Sequence, residues 1–410
     1  MQTSGSTKSK LALFGGTPVR GHEKRWPEWP QFDETDKQAL LGVLESRRWW
    51  DGERVQIFQK EFAALQDAGH CVVCNSGTTA LIIALRALGV GPGDEVIVPP
   101  YTFVATASAV AWMGAVPVFV DVDETWNLDI DLAEGAVTER TKAIIPVHFG
   151  GALCDMDRLN ALSEKHGVWI VEDACHAWGA KWKGKGAGAL GRCGTFSFQQ
   201  SKNMTAGEGG AIVTDDEELA VLCRSLVDCG RGTDGIWYNH PRVGTNARLS
   251  EFQAALLSAQ LLRLEAQNEV RQTNAAILNQ GLGRIEGLVA QPRDPRETRP
   301  VYHLYCLRVD PARFGCSRQR LIEAADREGL PLSAGYARPL NRQGAFLDGP
   351  NRQRYEVSLC PVAEDLCQTS ALWLTHPVLL GTPEDMRDIV EIFQKIKAHA
   401  SELNTGEGER

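Results

Sequence analysis

Three short stretches of this 410-residue chain carry side chains whose types and spacing could do chemistry together. In Val171-Glu172-Asp173-Ala174-Cys175-His176 a carboxylate stands at the exit of an apolar run. An acid so placed can pair with a pyridinium nitrogen and keep it protonated, or it can simply cap the segment that follows. In Thr195-Phe196-Ser197-Phe198-Gln199-Gln200-Ser201-Lys202-Asn203, continued by Met204-Thr205-Ala206-Gly207-Glu208-Gly209-Gly210, Lys202 follows an apolar run inside a polar, glycine-rich turn. Its amine is placed to form an imine with a carbonyl compound, although a lysine taken alone is most often a surface charge. In Asn75-Ser76-Gly77-Thr78-Thr79-Ala80-Leu81 a small polar turn opens a helix-like stretch. Backbone N–H groups at such a start, with the Thr78 hydroxyl, suit a phosphate. Taken alone, such a turn more often merely caps a helix.

These residues need elements to position them. Apolar, β-rich runs predict strands at 70–74, 95–99, 116–120, 143–148, 168–172, 194–198 and 211–214, with helical readings at 79–88, 105–113, 156–166 and 217–227 between them. Short buried strands separated by helices imply a mostly parallel, seven-stranded sheet covered on both faces, an α/β fold. Ligands bind beyond the carboxyl ends of such strands, where Asp173 and Lys202 fall. Residues 249–271 form a long helical stretch, and a boundary to a second domain is expected near 265–275. The expected organisation is a flexible tail and arm over 1–35, a large domain over 36–270, a smaller α+β domain over 271–400 and a disordered tail over 401–410. The smaller domain holds a strand-like 301–309, a helix-like 318–328 and a terminal helix over 383–398.

Composition narrows the class. With 43 basic against 52 acidic residues the net charge is -9, so no broad positive field exists for nucleic acid or anionic lipid. Any anionic ligand must be held locally. Eleven cysteines are too dilute for a disulfide scaffold, and a cytoplasmic compartment with reduced thiols fits them. The start lacks the apolar core of a secretory signal. The apolar run over 104–120 is cut short of a membrane span by Pro99, Pro100, Gly114 and Pro117.

Other strings carry less. Gly186-Ala187-Gly188-Ala189-Leu190-Gly191 satisfies the dinucleotide fingerprint as text, but a polar stretch precedes it and a strand follows, so a flexible loop is expected. Cys71-Val72-Val73-Cys74 lies inside an apolar strand with no second pair, which favours buried structural thiols over a metal or redox site. His148, His240 and His376 show no zinc spacing and read as satisfied or surface histidines, and no metal site is expected.

In their order, the Thr78 turn, the Glu-Asp-Ala-x-His stretch and the Ser-Phe-x-x-x-Lys-Asn-x-Thr-x-Gly-Glu-Gly-Gly stretch resemble the DegT/DnrJ/EryC1/StrS aminotransferases, over roughly residues 12 to 398. The resemblance implies the aspartate-aminotransferase-like fold (fold type I), pyridoxal 5'-phosphate (PLP) as cofactor, and a homodimer with shared sites. It implies that Lys202 is the Schiff-base lysine, that Asp173 faces the pyridine nitrogen, and that His176 bonds near the ring hydroxyl. Gly77, Thr78 and Ser197 match the phosphate site, Phe103 the aromatic that stacks on the ring, and Asn246 a residue that reaches the partner subunit's phosphate. Cys175 stands where alanine is common. Sugar dehydratases of the family have histidine at the lysine position, so Lys202 points to amino transfer. Regulators that borrow the fold carry a helix-turn-helix domain in front, for which about 35 residues are too few.

Trp26-Pro27-Glu28-Trp29-Pro30 and Leu372-Trp373-Leu374-Thr375-His376-Pro377-Val378-Leu379-Leu380 resemble the branch acting on free six-membered rings, which includes glutamine:scyllo-inosose-type aminotransferases and 3-amino-5-hydroxybenzoate synthases. Glutamine or glutamate is the expected donor. A keto-cyclitol is the first expectation for the acceptor, a nucleotide-linked keto-sugar the second and an aromatising amino-dehydration the third. Tyr336, Arg338 and Asn341 lie in a loop expected to border it. Two competing classes are a dinucleotide oxidoreductase, which would need the glycine string to open a helix near the first strand, and a silent binding protein, against which the joint presence of Lys202, Asp173 and Ser197 argues.

Overall fold

The computed structural model describes residues 10–21, 23–232, 234–348 and 358–404. Its strands are β1 (His70–Cys74), β2 (Glu95–Val98), β3 (Val116–Phe119), β4 (Thr141–Ile144), β5 (Trp169–Asp173), β6 (Lys181–Trp182), β7 (Lys185–Gly186), β8 (Cys193–Ser197), β9 (Gly210–Thr214), β10 (Leu288–Ala290), β11 (Glu297–Arg299), β12 (Leu304–Val309) and β13 (Ala371–Thr375). The main helices are α1 (Glu34–Ser46), α2 (Glu53–Leu65), α3 (Gly77–Ala87), α4 (Ala105–Trp112), α5 (Ile130–Gly135), α6 (Met156–His166), α7 (Glu217–Val227) and α8 (Glu251–Leu282).

All seven apolar runs enter one sheet, in the order β1-β9-β8-β5-β4-β2-β3. Neighbours from β8 through β3 are parallel, and β9 runs antiparallel to both β8 and β1. Alternation along each strand feeds two cores. Val72, Cys74, Val96 and Val98 pack with α3, α4 and α7 on one face, whereas Cys71, Val73 and Ile97 pack with α2 and α6 on the other. The expected strand at 143–148 instead ends at Ile144. Pro146 has no N–H to give the ladder, and the chain rejoins β5 only through a bridge between Val147 and Asp173.

A second, antiparallel sheet, β10-β12-β13, is covered by helices Arg318–Arg327 and Pro383–Ala398. Helix α8 joins the two sheets: Ala254, Leu257 and Leu264 belong to the core shared with α2 and α6, and Ala275, Leu278 and Leu282 to the core of the second sheet. It runs unbroken through 265–275, so the crossing expected there is a continuous helix.

The structure shows what holds three further segments. The described part of the arm is tied down: Leu11 is fully buried, Arg20 pairs with Asp385 and Asp388 at 2.6 and 2.8 Å, and the Trp26 indole donates to the Gly329 carbonyl at 2.9 Å. The disordered tail expected from residue 401 begins as a short helix, Ala400–Leu403, because Leu403 is buried and its carbonyl accepts from Arg320 Nε at 3.0 Å. Residues 1–9 and 405–410 lie outside the described residues. The glycine-rich loop at 186–191 is locked: the N–H groups of Gly188, Leu190 and Gly191 donate to the buried Glu172 carboxylate at 2.6–2.7 Å, and His148 Nε2 donates to it at 2.9 Å. Cys154 N–H donates to His148 Nδ1 at 3.2 Å, which leaves the imidazole proton on Nε2 for that bond.

Candidate active site

Strand β5 delivers Asp173 at its carboxyl end, 6% exposed. Its Oδ2 accepts from Thr106 Oγ1 at 2.8 Å and its Oδ1 from the Cys175 N–H at 3.3 Å. Thr106 opens α4 one turn after Phe103, and its N–H donates to the Phe103 carbonyl at 3.2 Å. One turn therefore fixes the hydroxyl against the carboxylate and carries the Phe103 side chain, 57% exposed. Sequence reasoning missed Thr106; its signal was the three-residue spacing from Phe103 at a helix start.

Lys202 sits in the turn that follows β8, its N–H donating to the Gln199 carbonyl at 2.9 Å. Among the described residues the amine has no hydrogen-bond partner; the nearest aromatic face is Trp178, 5.9 Å from Nζ to the ring centre. Burial pushes the Lys202 amine below the ordinary lysine range, with Cys175 and Asp173 pulling the other way. A lysine acts as nucleophile or base only when unprotonated, so burial favours the reactive form.

His176 accepts from the Gly150 N–H at Nδ1, 3.2 Å, which leaves its proton on Nε2. Burial, then Lys202 and His148, hold it far below the ordinary histidine range, so it is neutral near pH 7 and offers Nε2–H as a donor. His303 lies against it with ring centres 4.2 Å apart.

Helix α3 begins at Gly77, two residues before its expected start, because the Ser76 side chain caps it by accepting from the Thr79 N–H at 3.1 Å. Thr78 thus lies in the first turn. A Cβ on Gly77 would stand 2.7 Å from Ser197 Cβ, so the helix start is pressed against the end of β8. Free helix N–H groups and two hydroxyls converge there, a cradle for a phosphate.

The structure therefore brings Asp173, His176, Lys202, Gly77, Thr78 and Ser197 to the carboxyl edge of the first sheet, with Phe103 at its rim. Asn246 is an exposed residue on a bridge to Asp228, and the next residue, Ala247, accepts at its carbonyl from the Asn75 N–H at 2.8 Å. Tyr336 reaches the site from the second sheet's side: it stands edge-on to Trp373 at 4.9 Å, and burial and then Asp173 push its phenol up. Asn341 is buried, donating to the Ser358 carbonyl at 3.2 Å. No helix among the described residues is long and apolar enough to cross a membrane, and none of their His, Cys, Asp and Glu groups could hold a metal ion.

Comparison with known proteins gives a consistent result. The model of the DegT/DnrJ/EryC1/StrS aminotransferase family matches residues 30–394. The chain is 41% identical to the 3-amino-5-hydroxybenzoate synthase of Amycolatopsis mediterranei over 386 residues, 92% of this chain and 98% of that one. It is 40% identical over 424 residues to the L-glutamine:2-deoxy-scyllo-inosose aminotransferase of Micromonospora echinospora, covering 96% and 99% of the two chains. The crystal structure of a 3-amino-5-hydroxybenzoic acid synthase superposes with a TM-score of 0.84 at 39% identity, over 92% of this chain and 99% of that one. The fold is thus the aspartate-aminotransferase-like α/β class.

Proposed function

The chain belongs to the DegT/DnrJ/EryC1/StrS aminotransferase family, and from that premise we propose that it moves an amino group from glutamine or glutamate to a keto-cyclitol of the scyllo-inosose type, with PLP held at Lys202. When bound, that cofactor supplies a ring that takes up the electron pair left as a proton leaves the donor's carbon. The residues fit it. A half-buried amine with no hydrogen-bond partner among the described residues, a carboxylate braced by Thr106 and a helix start pressed on Ser197 match a carbonyl, a ring nitrogen and a phosphate.

In this reading Lys202 Nζ holds the cofactor's carbonyl carbon and, once displaced, takes and returns the substrate proton. Asp173 keeps a proton on the ring nitrogen, and His176 donates from Nε2 to the ring hydroxyl. Gly77, Thr78 and Ser197 bind the phosphate, and Phe103 covers the ring. Asn246 completes the site of a partner subunit, which its exposure supports. All eleven cysteines are free, which supports a reducing, cytoplasmic setting.

The choice of acceptor rests on one observation, the state of the cations beside Tyr336. Arg342 Nε is held by Glu364 at 2.9 Å, and Arg318 donates to the carbonyls of Leu366, Cys367 and Gln368 at 2.8–2.9 Å. Among the described residues of the loop over 336–342, Arg338 is the exposed cation. A nucleotide-linked sugar carries a diphosphate and calls for a basic groove, whereas a free cyclitol needs neutral hydrogen-bonding groups. A second reading, formation of an aminobenzoate, is favoured by the 41% identity to the Amycolatopsis enzyme.

The test loads the protein with amine from glutamine and follows its discharge by each acceptor. A scyllo-inosose-type ketone should discharge it faster than any nucleotide-linked keto-sugar; the opposite order would overturn the choice, and a new aromatic product from a cyclic carboxylic acid acceptor would favour the second reading. Lys202→Ala should lose both the cofactor's visible band and turnover.

A further inference from the structure

The two segments that carry the branch resemblance meet behind Lys202. Trp29 of the arm sets its ring edge-on to His376, with centres 4.5 Å apart, and its indole N–H donates to the Gln200 carbonyl at 3.0 Å. His376 donates from Nε2 to the Ser201 carbonyl at 3.0 Å. On the other side of the lysine, the Asn203 amide donates to the Tyr302 carbonyl and its oxygen accepts from His303 Nδ1, both at 2.9 Å. The chain on either side of Lys202 is therefore gripped by the arm and by the edge of the second sheet.

Arg271 of α8 is the hub of this arrangement. It is fully buried, no carboxylate among the described residues pairs with it, and its Nε has no partner. Burial pulls its guanidinium down to about 9. A buried, uncompensated cation is unfavourable, so a residue needed only to fill this space would be apolar. The donors it uses feed two relays. Nη2 donates to His376 Nδ1 at 3.2 Å, which fixes the proton on Nε2 for the bond to Ser201. Nη1 donates to Asn268 Oδ1 at 3.0 Å, and the Asn268 amide donates to the Trp178 carbonyl at 3.0 Å. The Trp178 ring is the face nearest the Lys202 amine. Trp29 lies 5.8 Å from the guanidinium and closes the array from outside.

We propose that Arg271, acting through His376 and Asn268, and Trp29 of the arm are positioning residues for Lys202. They touch no reacting atom; they set the loop so that the amine meets the cofactor's carbonyl carbon. The inference rests on the reading of Lys202 as the cofactor-holding amine.

The test compares the holoenzyme with His376→Leu, His376→Gln and Trp29→Phe at equal cofactor occupancy. The readouts are the visible band and the fraction of bound cofactor that borohydride fixes to the Lys202 peptide, with thermal midpoints as the check on folding. His376→Leu should lower the trapped fraction roughly threefold to tenfold, as loss of one hydrogen bond does to an equilibrium. His376→Gln keeps a donor near the position of Nε2 and should recover most of that loss. Trp29→Phe keeps a ring, loses the N–H and should shift the same way as His376→Leu. Wild-type trapping in both His376→Leu and Trp29→Phe would overturn the proposal, as would equal losses in the Leu and Gln variants, since packing volume alone would then explain them. Should His376→Leu not fold, Trp29→Phe decides. Cofactor trapped in the wild type on a residue other than Lys202, with Lys202→Ala unaffected, would instead overturn the underlying reading and this inference with it.

Discussion

A carboxylate can hold a proton on a ring nitrogen only through its charge, so Asp173→Asn separates binding from chemistry. The amide keeps the shape and still accepts from Thr106 at one oxygen. Losing even two pKa units of pyridinium stabilisation corresponds to about 2.7 kcal/mol, roughly a hundredfold in rate. Cofactor should stay bound while each half-reaction slows by that order, and rates near wild type would remove Asp173 from the role. A second expectation at this scale concerns acid. Burial holds His176, His303 and His376 far below the ordinary histidine range. The unfolded chain therefore takes up these protons first, so stability is full above the unfolded value of about 6.5 and falls as pH drops below it. Three such groups contribute a slope of about 4 kcal/mol per pH unit, about 1.4 each. Urea midpoints across that range should show it, and His303→Asn should lessen the slope by about one proton; a flat profile would contradict the neutral assignments.

Among the elements, the phosphate cradle depends on a helix start lying against a strand end. Gly77→Ala forces a Cβ to 2.7 Å from Ser197 Cβ, so α3 or β8 must shift. Overpacking of this kind costs about 1–3 kcal/mol. PLP affinity measured by fluorescence titration should fall by roughly tenfold or more, and unchanged affinity would move the phosphate elsewhere. The central strands were legible in the sequence because burial on both faces leaves short apolar runs such as Val96, Ile97 and Val98, or Ala211, Ile212 and Val213. The two- and three-residue strands Lys181–Trp182 and Glu297–Arg299 were not, since pieces so short carry no period. The loop at 186–191 was misread as flexible because its partner, the Glu172 carboxylate, comes from a different strand. Lys202, Asp173 and Thr78 were singled out by local chemistry. Thr106, Arg271 and His303 reach Asp173, His376 and Asn203 across 67, 105 and 100 residues, contacts that no single stretch displays.

Taken whole, the molecule exposes large apolar side chains near Asn246 in sequence. Ile236, Trp237 and Tyr238 are 63%, 78% and 77% exposed, in the segment that leads to the exposed Asn246. If Asn246 serves the neighbouring site, Asn246→Ala and Lys202→Ala are each inactive as homodimers, and a mixed dimer holds one intact site out of two. Each hybrid should carry about half the activity of a wild-type dimer, so statistical exchange of an equal mixture, half of it hybrid, should restore about a quarter. Verified hybrids without any recovery would place Asn246 in its own subunit's site or in none.

The unbroken course of α8 bears on how the molecule comes apart. A helix of 32 residues is about 48 Å long, and its two halves are roots of different cores. Loosening either core strips one side of the same rod, so the two are joined in a single cooperative unit. Amide protons around Leu264–Leu278 should then exchange only through global opening, with the slowest rates in the chain and one shared dependence on denaturant. A fragment cut at residue 270 should lose that protection on both sides of the cut. Fast exchange at the middle of α8, with slow exchange in β5 and β12, would mean instead that the two sheets open independently and swing about the rod that joins them.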